Sequence, residues 1–416
     1  MLLRAYKKTI QLVIAGFASS NFVGLPQHEY KKINLLNKVT LLQHLKLKGA
    51  NVELYNLLQD EIIQLAEKYE FYPILMEQLA TKKIFHGMKF GFENVQKLSK
   101  QLSLSERSFK SLVQAIEWNH YLKPKVNKEV FDIDRKEEIL RQIGIMEAES
   151  NITGSNNIRY YMLNHKLYYY NIIESIEKRK ETANEILLLL QNSKAVYSAN
   201  RLGIIHSNIA DIEAFESNYI SAIQNLKLAK KYFPLNTKNY FLTIQEEFRC
   251  HFYNKDFDKA RDVFECLKAG FHSSFNEFEK QQIKLLEACL FIETGKFEKA
   301  LEIVGKEKFN QKNPSYEFWR RMYQIFLFLK LKNEENAAKS FLSFQQLLYR
   351  WPELKTLSKR EQITYGIMAD FFNNGFDDTI NNTVERLSQL QNNSELSWKP
   401  FLAETIPFEN LFEKIS

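Results

Sequence analysis

The chain alternates between long runs in which apolar residues recur every three or four positions and short polar turns. In residues 30–48 the apolar positions keep this spacing throughout: Ile33, Leu35, Leu36, Val39, Leu42 and Leu45. A period of 3.6 residues places such side chains on one face of a helix, so the pattern predicts an amphipathic α-helix. The same spacing returns along most of the sequence, which predicts an all-α protein.

Turn residues predict where several of these helices begin and end. Gly49 ends the helix over residues 30–48, Asn51 can cap the next helix, and Pro73 suits the first turn of the one after it. A further helix is predicted over residues 2–19.

A separate helix start is predicted in the middle of the first third. Residues 93–102 have the pattern of one helix. Ser103-x-x-Glu106, or alternatively Ser105, then has the pattern of an N-cap, which predicts a second helix that ends at Tyr121.

A two-helix pattern recurs through the second half of the chain and is clearest in residues 201–234. There Ser217–Asn218 separates two apolar runs, and the second run carries Ala222 and Leu226 before it closes on Pro234. A small residue lets the two helices of a hairpin approach closely, and a bulky residue four positions later fills the groove of the neighbouring unit. The pattern therefore predicts helix hairpins that stack on copies of themselves.

The small residue returns at a nearly regular interval. The later pairs are Ala260 with Phe264, Ala300 with Val304 and Ala337 with Phe341, and a degenerate last unit has Phe376 and Thr379 at the aromatic and small positions. Successive small residues are 38, 40, 37 and 42 positions apart. Recurrence at such a period is the sequence signature of a solenoid.

These residues resemble a tetratricopeptide (TPR) repeat array. Residues 201–234 are similar to the second half of a TPR unit. Residues 46–73 have the same spacing of characteristic residues, in Gly49, Leu54, Leu58 and Pro73. The resemblance implies a right-handed α-α superhelix of antiparallel helix hairpins. It also implies that the first helix of each hairpin, the A helix, lines a concave groove.

Ligands of TPR proteins contact exposed positions of the A helices, so the resemblance implies a partner-binding groove here. In the corresponding register the candidate groove residues are Asp211, Phe215, Arg249, Tyr253, Glu293, Trp319 and Lys330. Mixed charge and aromatic side chains suit an extended peptide or a helix. The predicted function is a non-catalytic scaffold whose partner is a protein or peptide, with no oligomeric state specified.

Breaks in the pattern predict how the chain is divided. Residues 1–130 read as basic N-terminal helical hairpins that are TPR-like in part, and residues 131–157 read as a linker or kink. The main TPR-like array spans residues 158–395, and residues 396–416 are apolar enough to dock as a terminal cap.

The charge distribution suggests an alternative function. The 416 residues carry a formal net charge of +7, and residues 1–130 hold 19 Lys and Arg against 11 Asp and Glu. The whole basic excess therefore lies in the first third of the chain, where it could attract nucleic acid or another acidic surface. These basic residues are scattered and form no block, so nucleic acid is the less favoured partner.

The three cysteines and the apolar runs bear on the compartment. Cys250, Cys266 and Cys289 are odd in number and fall in predicted repeat helices, which favours a reducing, cytoplasmic location. The sequence has no apolar run of the length that a membrane span needs. Residues 1–19 loosely resemble a signal peptide, but their apolar positions also fit a buried helix.

The motifs that carry chemistry are missing from the sequence. It contains no phosphate-binding glycine loop, no zinc motif and no nucleophile elbow, so neither a catalytic residue nor a cofactor or metal is predicted. Carboxylate pairs such as Glu246–Glu247 read as solvated helix faces.

Overall fold

The computed structural model describes residues 27–49, 51–122, 133–270, 275–306, 314–350, 357–374, 376–393 and 395–414. Every regular element in these residues is an α-helix, as the apolar spacing predicts. The predicted helix over residues 2–19 and the signal-like segment lie outside them. The chain forms two compact units, Met1–Asn208 (unit 1) and Ile209–Ser416 (unit 2).

Unit 1 is a succession of helices in which each helix packs against the next. Its helices are α1 (Gln27–Leu47), α2 (Val52–Lys68), α3 (Tyr72–Phe90), α4 (Phe92–Leu122), α5 (Ile133–Thr153), α6 (Asn156–Ile172) and α7 (Ile176–Asn192). Two predicted boundaries are confirmed. The Asn51 side chain accepts a hydrogen bond from the Glu53 N–H at 2.7 Å, and Pro73 lies in the first turn of α3.

The helix start predicted near Ser103 is wrong, because α4 runs unbroken through it. The Ser105 and Ser108 hydroxyls donate to the carbonyls of Gln101 and Leu104, at 2.9 and 2.8 Å. A serine can bond the carbonyl one turn back inside a helix as well as the N–H groups at a helix start, and here the first arrangement is the one adopted.

The stretch predicted as a linker or kink, residues 131–157, contains the whole of helix α5. Between α5 and α6 only Gly154 and Ser155 are non-helical, and Gly154 adopts a φ of 68° that favours glycine. The border between the two compact units lies further along the chain, after Asn208, inside helix α8 (Ala199–Phe215).

Unit 2 is built from hairpins of the predicted kind. After α8 come α9 (Tyr219–Tyr232), α10 (Lys238–Tyr253), α11 (Phe257–Ala269), α12 (Glu277–Glu293), α13 (Phe297–Lys306), α14 (Pro314–Lys330), α15 (Glu334–Arg350), α16 (Lys359–Asn374), α17 (Phe376–Asn392) and the short α18 (Phe408–Glu413). Turns of three residues join the two helices of most hairpins, so the paired helices are antiparallel. The A helices are α8, α10, α12, α14 and α16.

The repeating small residues lie where the two helices of each hairpin meet. Ala222, Ala260, Ala300 and Ala337 are fully buried, and the bulky residues four positions later are buried with them. One apolar core runs from α10 through α17 and into the C-terminal residues. These features confirm the TPR-like hairpin class. The marks of the last unit, Phe376 and Thr379, lie outside the residues whose side chains are described.

Candidate interaction surface

The candidate site is the surface that the A helices of unit 2 present, from residue 209 of α8 through α10, α12, α14 and α16. We call it the A-helix surface. The A helices α12 and α14 contact each other directly, although α13 separates them in the chain. Side chains from successive hairpins are thereby brought side by side.

The seven predicted groove residues differ widely in exposure. Asp211, Phe215, Tyr253, Glu293 and Lys330 are half-buried on their helices, whereas Arg249 is 4% exposed. Trp319 is only 2% exposed and packs against Phe318 and Tyr323 in the core. The Trp319 side chain therefore offers no free area to a partner, because α14 is apolar on more than one face.

Ionisable groups cluster at the end of this surface formed by α8 and α10. Burial and the negative charge of Asp211 raise the pKa of Glu246 to about 8, and the positive charge of Arg249 opposes this. Burial raises the pKa of the Tyr253 hydroxyl to about 12. The Arg249 Nε finds no acceptor among the described residues. A buried donor of this kind is satisfied when a ligand or water supplies an acceptor.

The interpretation of Glu246–Glu247 as a solvated face is wrong. Glu247 is buried and pairs with Lys230, and Glu246 is half-buried beside Arg249. Both carboxylates lie on α10, which packs against α9 and α11 and therefore has little surface in water.

The A-helix surface is covered along much of its length by residues 396–414, which we call the C-terminal segment. At one end, the Trp398 and Tyr253 rings lie 4.9 Å apart, edge to face. The Phe401 N–H donates to the Tyr253 hydroxyl at 3.2 Å. The Phe401 side chain packs against a buried cluster formed by α8, α9 and α10.

In the middle of the segment, main-chain groups are bound by Tyr323 of α14. Its hydroxyl accepts hydrogen bonds from the N–H groups of Thr405 at 2.9 Å and Ile406 at 3.2 Å. Tyr323 is fully buried, and burial raises its pKa well above the usual range. The hydroxyl therefore stays neutral and keeps its role as a hydrogen-bonding group at physiological pH.

Arg360 of α16 holds two carboxylates of the segment. Its guanidinium contacts Glu404 with two hydrogen bonds of 2.6 Å and Glu409 with bonds of 2.7 and 3.1 Å, and it also donates to the Leu396 carbonyl at 2.7 Å. Arg360 is 8% exposed and both glutamates are buried. Burial raises the pKa of Glu404 to about 7, although the charge of Arg360 opposes the shift.

The last residues of the segment contact two of the predicted groove residues. The Lys414 ammonium pairs with Glu293 of α12 at 2.7 Å, and the Lys414 carbonyl accepts a hydrogen bond from Lys330 of α14. With Tyr253, three of the seven candidates therefore contact the C-terminal segment. Sequence reasoning missed Tyr323 and Arg360, because their partners are 82 to 83 and 44 to 49 residues away in the chain.

Tyr323→Phe is expected to raise the amide hydrogen-exchange rates of Thr405 and Ile406 by about tenfold or more. Both N–H groups lose their acceptor, and a buried donor without a partner costs about 1–3 kcal/mol. Hydrogen exchange read by mass spectrometry on peptides that cover residues 396–414 measures the change. The matched control is Tyr349→Phe, because Tyr349 is 87% exposed. Unchanged exchange in Tyr323→Phe would contradict the expectation.

Three basic residues of the first third form ion pairs with carboxylates in the described part of unit 1. Lys38 pairs with Glu61, Lys82 pairs with Asp60, and Arg107 binds Glu149 of α5 at 2.7 Å. Binding of an acidic partner through this region stays a prediction.

Comparison with known proteins finds only distant structural similarity. No family model matches the sequence, and no curated protein is significantly similar to it. Among solved structures, a signal transduction ATPase with numerous domains from Pyrococcus horikoshii, which has a tetratricopeptide repeat sensor, is 15% identical with a TM-score of 0.34. That match covers 86% of this chain and 52% of the ATPase, so this chain spans about half of its length.

Yeast Tom70 is 10% identical with a TM-score of 0.36, over 93% of this chain and 90% of Tom70. Similarity at this level carries no information about what this chain binds. In the part of the chain that the structure describes, no helix is long and apolar enough to cross a membrane.

Proposed function

We infer that this protein is a non-catalytic scaffold that binds a polypeptide segment of a partner on the A-helix surface of unit 2. One observation carries the inference. Two tyrosine hydroxyls on this surface, Tyr253 and Tyr323, accept hydrogen bonds from main-chain N–H groups of the non-helical residues 401–406. Hydrogen bonds to main-chain groups can bind an extended polypeptide whatever its side chains.

The charged groups of the surface also suit binding. Arg360 and Glu293 are engaged in ion pairs with side chains of the segment, and Arg249 lies buried with an Nε donor that lacks an acceptor among the described residues. Arginine forms bidentate contacts with carboxylates, which makes it a frequent anchor in interfaces. Cys250 and Cys289 are buried and unpaired, in keeping with a reducing compartment such as the cytoplasm.

A displayed peptide library tests the inference. The full-length chain is used as bait in two forms, the wild type and a variant with Phe408→Ala and Phe412→Ala in the segment. We expect at least one form to enrich a family of related peptides. Glu293→Lys should weaken their binding about tenfold or more, since a reversed charge within an interface costs several kcal/mol.

The matched control is Glu298→Lys, an equal charge reversal at an exposed position of α13, outside the A-helix surface. It should leave peptide binding unchanged. Enrichment of no peptide family by either form, or equal loss of binding in both charge reversals, would refute binding at the A-helix surface.

A further inference from the structure

The C-terminal segment has the features of a bound peptide and not of another repeat. Residues 397–407 contain no helix, and α18 that follows is only six residues long. Yet the polar contacts of the segment reach four different A helices: α10 through Tyr253, α12 through Glu293, α14 through Tyr323 and α16 through Arg360. A repeat helix contacts its nearest neighbours, whereas this segment runs across several units.

The backbone of the segment adopts a conformation that its contacts must hold. Phe401 has a φ of 66°, in the left-handed region that a bulky residue rarely occupies. Its N–H is bound by Tyr253 and its ring packs against the buried cluster of α8, α9 and α10. The conformation therefore depends on the A-helix surface and would not persist in the free segment.

Apolar anchors alternate with the polar contacts. Ile406, Phe408, Leu411 and Phe412 are each at most 4% exposed. The Phe412 ring lies 6.4 Å from that of Phe371 on α16 and 5.7 Å from that of Phe408. Buried aromatic residues around a charged anchor are the usual energetic centre of a protein interface.

We propose that the C-terminal segment is a displaceable ligand in cis, and that the partner bound in trans carries a segment of the same chemistry. That segment has two carboxylates five residues apart, as in Glu404 and Glu409, and two aromatic residues four apart, as in Phe408 and Phe412. The proposal rests on the proposed function and adds to it the kind of partner and its competition with the chain's own C-terminal segment.

The surface itself sets these requirements. Removal of the segment takes both carboxylate partners away from Arg360. A ligand without acidic groups that covered the same place would bury the guanidinium unpaired, and an unpaired buried charge is strongly unfavourable. A competitor must therefore bring acidic groups to the same place. It must also compete with a segment that is covalently linked to the surface. The short connection after Asn392 gives that segment an effective concentration on the order of millimolar. In the wild type the surface is therefore closed to weak ligands.

Fluorescence anisotropy with a labelled synthetic peptide of residues 396–416 tests the proposal. The receptor is the full chain with Phe408→Ala and Phe412→Ala, which weakens the segment and leaves the A-helix surface unchanged. We expect the peptide to bind this receptor at least tenfold more tightly than it binds the wild type. Arg360→Gln in the weakened chain should remove binding, and Lys359→Gln should not, because Lys359 is exposed and contacts Glu395 outside the peptide.

The peptide has its own control. A version with Glu404→Gln and Glu409→Gln should bind at least tenfold more weakly, since it brings no charge to Arg360. A weakened chain that remains helical but binds no peptide would overturn the proposal, because the segment would then be a fixed part of the fold. Equal binding to wild-type and weakened chains would also overturn it, because the peptide would then occupy another place.

A second variant covers the case in which the weakened chain does not fold. A protease recognition sequence inserted after Asn393 lets the wild-type segment be cut after folding, with every contact kept. We expect excess labelled peptide to exchange into the cut protein and not into the uncut one, as read by size-exclusion chromatography. No exchange, or loss of helical circular dichroism when the segment leaves, would overturn the proposal.

The two proposals can fail separately. In one outcome, library peptides bind in a way that depends on Glu293 but do not compete with the labelled segment peptide. That result would support the proposed function and contradict the present inference. If neither the library peptides nor the labelled segment peptide binds the A-helix surface, both proposals are contradicted.

Discussion

Arg360→Ala should free the C-terminal segment from the A-helix surface and lower the unfolding free energy of unit 2 by about 3–5 kcal/mol. The substitution leaves Glu404 and Glu409 buried without the guanidinium that forms hydrogen bonds with both of them. It also removes the donor to the Leu396 carbonyl, where the segment begins. An isolated buried carboxylate is far less favourable than one in water, so the segment leaves the surface to solvate them.

Two measurements check this expectation. Urea unfolding followed by circular dichroism gives the loss of stability, and limited proteolysis gives the exposure of residues 396–414. We expect cleavage within the segment while the helical repeats stay intact. Arg360→Lys should fall between the wild type and alanine, since an ammonium keeps the charge but cannot form the bidentate contact.

Lys359→Ala is the matched control for Arg360→Ala. The two residues are neighbours on α16, but the Lys359 side chain is 78% exposed and its partner Glu395 is also exposed. Exposed ion pairs contribute only about 0–1 kcal/mol. A segment that stays protected from proteolysis in Arg360→Ala would show that apolar burial alone holds it.

The stability of the docked segment should fall as pH rises from 5 to 8. Burial, together with the nearby charge of Glu409, raises the pKa of Glu404 to about 7 in the folded state, from 4.5 for the free side chain. A carboxyl group whose folded-state pKa is raised binds its proton more tightly when folded. Its contribution to stability is therefore complete below pH 4.5 and is lost as pH rises through 7.

This shift in the pKa of Glu404 corresponds to about 3 kcal/mol of stability, at about 1.4 kcal/mol for each pKa unit. The main physical cause is the burial of the Glu404 carboxyl group, to which the charge of Glu409 adds, while the charge of Arg360 opposes the shift. Glu404→Gln removes the titrating group and leaves Arg360 paired with Glu409. The difference in unfolding free energy between pH 5 and pH 8 should therefore be about 2–3 kcal/mol smaller in Glu404→Gln than in the wild type, because part of the shift lies below pH 5.

Glu413→Gln is the matched control, because Glu413 lies on the same short helix α18 but is exposed. It should keep the pH dependence of the wild type. The same dependence in wild type and Glu404→Gln would mean that Glu404 titrates alike in the folded and unfolded chain.

Local sequence patterns predicted most helices of this protein. Their limit is seen near Ser103, where they predicted a helix start that the structure does not have. The apolar spacing, the Asn51 cap and the position of Pro73 each act within one or two turns of helix, so they can be read from neighbouring residues. Ser105 fits both an N-cap and a helix interior locally. Only the packing of α4 against α3, α5 and α6 selects the continuous helix.

The predicted groove residues also show that a sequence pattern does not determine how each side chain packs. The repeat register placed Tyr253, Glu293 and Lys330 on the A helices, and these three contact the C-terminal segment. The same register predicted Trp319 to be exposed, yet it is buried. A repeat register specifies which helix a residue belongs to, whereas the exposure of each side chain depends on the packing of its neighbours.

By itself the sequence determined the helical class, the hairpin repeat and the small residues at each hairpin contact, because these follow from the spacing of residues near one another in the chain. Only the tertiary structure decided that residues 396–414 lie on the A-helix surface and that Arg360 holds Glu404 and Glu409 there. Those contacts join residues 36 to 148 positions apart. No periodic pattern links such residues, and only the stacking of the hairpins brings them together.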